Sequence, residues 1–231
     1  MLGIYLSINN GISHDEFHEQ LNWTVNLKFI KEFLTNGDYE DFLIYKDRYH
    51  GIGFHYLSQP FQFFIYKPLS NYLSISEYGG ILISKHVFTF LIFFISGIFL
   101  YLILKQLFRD NLFALISSSL YLLYPYLFGH AQFNPKDIPF LSIWLICTYF
   151  IIKIIKRAIN KKKIDIKYFI LFAVFSSLLI SIRTLGLLIY LQLFIFLFVY
   201  FENQNEQAIK IFVKNKNKIF LTILLFSLLT Y

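Results

Sequence analysis

In the stretch ISHDEFHEQLN, residues 12–22, His14 and His18 stand four positions apart around the adjacent carboxylates Asp15 and Glu16. Three readings fit these residue types. Ser13 followed three positions later by Glu16 is the pattern of a capping box, and two acids in a first helical turn complement the helix dipole. That reading needs no chemistry. The i, i+4 histidines share one helix face, the spacing of a zinc pair, with Asp15 where a general base would stand. A third ligand would then come from His50, His55, His86, His130 or an acid. In the third reading a carboxylate takes the proton from an attacking hydroxyl, which requires a second group of residues to hold the other reactant.

The candidates for that second group lie far away in sequence. YPYLFGHAQFNPKDIPF, residues 124–140, brings Asn134, Lys136 and Asp137 together in a loop pinned by Pro135 and Pro139. Pro139 is compatible with a helix start, because its missing donor would be unpaired there anyway. Ordinary turn chemistry explains the same residues, and Lys136 could simply neutralise Asp137, a pair worth ~0–1 kcal/mol when exposed. Arg183 sits in SIRTLG, inside a 34-residue apolar run, and Lys85 and His86 precede another such run.

These residues must be positioned by membrane helices. The chain is 57% hydrophobic and 21% aromatic, with a mean hydropathy of +0.56 and long uncharged runs, which excludes a soluble domain with one apolar core. The expected fold is all-α, a polytopic transmembrane helix bundle with a large extracytoplasmic first loop containing interfacial helices. About 20 apolar residues cross a hydrocarbon core of ~30 Å. The spans expected on that measure are 87–104, 112–128, 138–152, 168–182 and 185–201, with a truncated one at 219–231. Residues 168–201 are divided at SIRTLG because a central arginine costs at least ~2.5 kcal/mol in hydrocarbon, and Gly186 suits a turn. Residues 1–12 lack the basic start and cleavage site of a signal peptide and read as the remnant of a first span. The chain thus reads as cut at both ends.

Charge sets the orientation. After His86 the sequence holds 15 basic residues, 13 of them within 105–111, 153–167 and 202–218, and basic loops face the cytoplasm. Alternation then places residues 13–86, the NPKD loop and Arg183 on the opposite, extracytoplasmic face. The run KIIKRAINKKK is a topology signal between two spans, so no nucleic-acid partner is expected. Residues 1–86 carry nine acids and six bases and form a folded loop, in which Phe17, Leu21, Val25 and Phe29 recur at helical spacing. Helices lying along the membrane surface are expected there. Cys147 has no partner for a disulfide or a thiolate cluster.

An Asp-Glu pair after the first span, a first loop of this length, a second outer loop carrying FNPKD and a break at IRTLG together resemble the GT-C membrane glycosyltransferases. The branch most similar is family 39, the dolichyl-phosphate-mannose–protein mannosyltransferases and the bacterial enzymes that add aminoarabinose to lipid A. The resemblance runs over essentially all 231 residues, as the N-terminal portion of a longer enzyme. It implies a sugar donor linked through phosphate to a polyprenyl chain, a protein, lipid or glycan acceptor, and a site at the outer rim of a bacterial inner membrane. It further implies that Asp15 is the general base of an inverting transfer and that Glu16 orients it or binds acceptor. Asp137, Lys136 and Asn134 would position sugar or acceptor, and Arg183, Lys85 or His86 would receive the departing phosphate. This branch implies no metal and no cofactor. Two rivals remain open on the residues alone: a transporter or non-catalytic membrane protein, and an HDxxH membrane metalloprotease.

Overall fold

A computed structural model describes residues 1–159, 165–203 and 217, so the apolar run expected at 219–231 lies outside the described residues. The described residues are helical, without strands, as the composition requires. Helices α1 (Leu2–Asn9), α2 (His14–Asn36), α3 (Glu40–Ile44) and α4 (Gly53–Leu73) precede the long α5 (Glu77–Phe108). After it come α6 (Asn111–Leu123), α7 (Pro125–His130), α8 (Asp137–Ile159), α9 (Ile166–Ile182) and α10 (Leu188–Asn203), with a 3-10 turn at Thr184–Leu187. Two of these are long and apolar enough to cross a bilayer: α5, and Asp137–Arg157 within α8. The apolar helices 111–123, 166–182 and 184–199 are shorter.

The chain forms two compact units. The first comprises Met1–Phe93 with Pro125–Pro139, and the second Phe94–Tyr124 with Phe140–Tyr231.

In the first unit, α2 begins at Ser13 with the capping box, in which the Ser13 N–H donates to Glu16 Oε1 at 2.7 Å. It ends at Gly37, whose φ of +72° turns its N–H back to the Phe33 carbonyl at 2.9 Å. The face that α2 buries holds Glu16, Asn22, Trp23 and Asn26. Phe17 and Leu21, the start of the helical-period stripe, are instead 53% and 54% exposed. At the start of α2 the stripe is thus more exposed than the polar Glu16, Asn22 and Asn26, while Phe29 further along packs on Phe42 and Tyr45. Trp23 stacks on His55 of α4 and meets Tyr56 edge-on. Phe88 of α5 packs against Phe54 and Phe61, and Phe90 against Phe128. Gly80 lets α5 approach α4: a Cβ there would lie 2.6 Å from the Tyr66 carbonyl oxygen.

In the second unit, α6 starts at Asp110, whose side chain accepts from the N–H groups of Leu112 and Phe113. It stops at Tyr124, because Pro125 disfavours helical backbone in the residue before it. The apolar run 112–128 is therefore not one helix but two. Cys147, Ile151, Phe172, Ala173, Leu179 and Ile189 are fully or nearly fully buried. Several polar groups in this core are paired: Trp144 Nε1 donates to Gln192 at 2.8 Å, and Ser176 lies 2.9 Å from the Tyr190 hydroxyl. Helix α9 ends where Arg183 turns extended, with φ −150° and ψ 136°.

Candidate active site

The buried face of α2 supplies the polar centre of the first unit, and it is continuous because residues 16, 19, 20 and 23 recur at i+3 and i+4. Glu16 is 3% exposed, and its Oε2 lies 2.6 Å from Nε2 of His86, itself 1% exposed. The other ring nitrogen, Nδ1, lies 3.2 Å from the Ser7 carbonyl oxygen, which can only accept. Nδ1 therefore carries a proton. It follows that Glu16 and His86 Nε2 share one further proton and form a neutral pair, whichever of them holds it. A single carboxylate without this partner would carry a desolvation penalty of several kcal/mol.

One turn along α2, Glu19 Oε1 accepts from Lys136 Nζ at 3.0 Å and stands 3.3 Å from His50 Nε2. Gln20 accepts from Lys85 Nζ, which also lies 3.0 Å from His55 Nδ1. With Lys85 charged its Nζ can only donate, so His55 Nδ1 then accepts and the ring is neutral. Burial, then the charges of Lys85 and Lys136, push the His55 pKa down to about 2. His18, on the outer side, is 3.5 Å from Asp47.

The second segment is held by Asn134. Its Oδ1 accepts from the backbone N–H of Lys136 and Asp137 at 3.1 and 2.9 Å, which caps the start of α8. Its Nδ2 contacts Asp137 Oδ2 at 3.1 Å and His130 Nδ1 at 3.2 Å. Asn134 is thus a holding residue, and Asp137 stands exposed on the first turn of α8.

Of the residues singled out from sequence, Glu16, Lys85, His86 and Lys136 meet the α2 face within one unit, and Asn134 and Asp137 stand beside Lys136. Asp15 takes no part in this network. It is exposed and makes no hydrogen bond or ion pair with the described residues, so both its oxygens are available. Arg183 belongs to the second unit, at the break after α9. The residues missed from sequence are Glu19, Gln20 and the Ser7 carbonyl, while His50 and His55 figure in the sequence reading only as possible metal ligands. The signal for Glu19 and Gln20 was the i+3, i+4 continuation of Glu16 through EFHEQ. Among the described residues no three His, Cys, Asp or Glu side chains group as a metal site would need, and His14 and His18 do not converge with a third.

Chemically, the arrangement is an exposed carboxylate on a helix whose first turn is anchored from below, beside a basic and acidic segment from a distant loop. No curated protein and no solved structure matches the chain. A family model described as dolichyl-phosphate-mannose-protein mannosyltransferase matches residues 74–231, a stretch that includes Lys85, His86, Asn134, Lys136, Asp137 and Arg183 and follows Asp15 and Glu16. With that match over more than half its length, on an all-α chain with helices fit to cross a bilayer, the protein belongs to the dolichyl-phosphate-mannose-protein mannosyltransferase family of GT-C membrane glycosyltransferases.

Proposed function

We propose that the protein transfers a sugar from a polyprenyl-phosphate donor to an acceptor hydroxyl at the extracytoplasmic face, with inversion at the anomeric carbon and Asp15 as the general base. The observation that carries this reading is the contrast between two adjacent acids: Glu16 is buried and neutralised by His86, while Asp15 is exposed and uncommitted. Glu16 fixes the first turn of α2, and Asp15 is the group left to meet a ligand.

In the proposed reaction the acceptor oxygen attacks C1 from the side opposite the phosphate. Asp15 takes the hydroxyl proton, the new C1–O bond forms, and the bond from C1 to the phosphate oxygen breaks. The polyprenyl phosphate leaves with the electron pair and needs cations rather than a general acid. Lys136, part-exposed and shared with Glu19, is the cation of the first unit best placed to be recruited, because Lys85 is fully enclosed by Gln20 and His55. The assignment of Arg183 to the phosphate rests on the sequence and on the fork of donors that arginine offers to phosphate oxygens. Asp137 is assigned to sugar or acceptor positioning.

The test compares Asp15→Asn with Asp15→Glu in membranes carrying the protein, using transfer from a radiolabelled polyprenyl-phosphate sugar. Loss of a general base lowers the rate by roughly 10²–10⁴-fold, so the Asn variant should be nearly silent while the Glu variant keeps partial activity. Undiminished transfer by Asp15→Asn removes Asp15 from the mechanism.

A further inference from the structure

The second unit holds a cavity of about 420 Å³ that the sugar-transfer reading does not use. Its walls are apolar, from Ile152 and Ile155 of α8, Leu107 of α5 and Phe196 of α10, and its polar lining is Gln106, Arg109 and Lys156. We propose that this cavity binds an anionic glycerophospholipid of the bilayer, with an acyl chain against the apolar wall and the phosphate between Arg109 and Lys156.

Four observations support the assignment. The first is charge. Arg157 and Lys167 both pair with Asp165, at 3.3 and 3.7 Å, and Asp110 is occupied in capping α6. Arg109 and Lys156 form no ion pair with the described residues, so the cavity carries two uncompensated cations. Lys156 gives one of its three donors to the Gln106 carbonyl at 2.9 Å and keeps the others.

The second is an orphan acceptor. Gln106 Oε1 is buried and has no hydrogen-bond partner, a state that costs about 1–3 kcal/mol. A headgroup that carries a donor beside its phosphate, a glycerol hydroxyl or an ammonium, would satisfy it. The third is the backbone of Arg109. Its φ of +57° places a residue with a Cβ in the left-handed position that follows α5, where glycine is the usual occupant. The sequence accepts that strain at the residue whose guanidinium lines the cavity. The fourth is location, since α5 and α8 are the two helices among the described residues fit to span a bilayer, and both end here. Around them Lys105, Lys153 and Arg157 lie over Tyr101, Tyr149 and Tyr168, as snorkelling cations do at a membrane surface. Basic pockets between such helix ends suit anionic lipid headgroups, at about 1 kcal/mol for each cation.

The experiment uses the full chain in detergent, stripped of lipid and titrated with phosphatidylglycerol, phosphatidylcholine or a polyprenyl phosphate, with bound lipid counted by native mass spectrometry. One phosphatidylglycerol should bind in preference to phosphatidylcholine, and Arg109→Ala with Lys156→Ala should weaken it about 30-fold. Ile155→Trp, which fills the cavity and keeps both charges, should also lose the lipid, whereas Lys28→Ala, on exposed α2, should not. Equal binding of phosphatidylcholine, or unchanged phosphatidylglycerol binding by the folded double variant, overturns the proposal. So does tighter retention of the polyprenyl phosphate, which would make this a carrier site. Sugar transfer is not read in this experiment, so its outcome is independent of Asp15.

Discussion

At the scale of single residues, the polar centre of the first unit works by giving its acidic and basic groups defined partners. Glu16 has His86, Lys85 has Gln20 and His55, and Glu19 has Lys136 and His50. His55 is the most revealing member, because it must stay neutral to accept from Lys85. Its folded pKa of about 2 lies below the ordinary value of 6.5, so below pH 6.5 the unfolded chain takes up a proton that the folded chain refuses. The stability His55 confers is complete above pH 6.5 and is lost as the pH falls from 6.5 towards 2. Between pH 7.5 and 5.5 the linkage amounts to about 1 kcal/mol. Thermal unfolding of the purified protein at those two values should show this loss. His55→Gln, which can still accept from Lys85 but cannot titrate, should lose less over the same interval. An identical pH response in the two proteins would mean that His55 is protonated in the folded state.

At the scale of elements, the sequence was readable wherever one local rule acted alone. Ser13 and Glu16 announced the start of α2, since a capping box is satisfied within four residues and depends on nothing distant. The all-helical class followed from the length of the apolar runs. The reading was weaker where two rules competed. Residues 112–128 are apolar throughout, yet Pro125 ends α6 at Tyr124, and apolar counting overlooked a steric rule. The buried side of α2 was hidden for the opposite reason. Its apolar stripe begins at Phe17 and Leu21, but the side packed inward carries Glu16, Asn22 and Asn26, whose partners come from residues 45, 86 and the helix itself. No period within α2 could reveal those. Close packing between elements is equally invisible in sequence and equally testable. Alanine at Gly80 gains up to ~1 kcal/mol of helix propensity, but its Cβ would meet the Tyr66 carbonyl oxygen of α4, a backbone atom with little freedom to yield. Overpacking of ~1–3 kcal/mol should win, so the variant should unfold at lower temperature. At neighbouring Gly79 the nearest atom is the end of the Ile75 side chain, 3.2 Å away, which can rotate. Gly79→Ala should therefore be neutral or stabilising, and a pair of variants that move in the same direction would show that propensity alone decides.

At the scale of the molecule, what remains is which end of each membrane helix faces which side. Helices α5 and α8 pack in step: Phe99 meets Tyr149 with ring centroids 5.1 Å apart, and seven residues further along both helices Lys156 Nζ reaches the Gln106 carbonyl. A seven-residue advance on each means that the two run parallel. If both span the bilayer, the segments after them lie on the same side, and the chain between must cross back. Those segments hold Lys105, Arg109, Lys153, Lys156, Arg157 and Lys167, and it is the density of lysine and arginine that keeps such segments in the cytoplasm. On the topology proposed above, the start of α2 and the NPKD segment are expected on the outer face, where the donor would be presented. Single cysteines read this directly once Cys147, which is buried, is replaced by alanine. In intact cells a membrane-impermeant maleimide should label cysteine at His14 and at Asp137, both exposed positions, and should label cysteine at Arg109 or Lys167 only after the membrane is opened. Labelling of 109 from outside, or of 137 only from inside, would invert the topology. Asp15 would then face the cytoplasm, where no sugar presented at the outer leaflet could reach it.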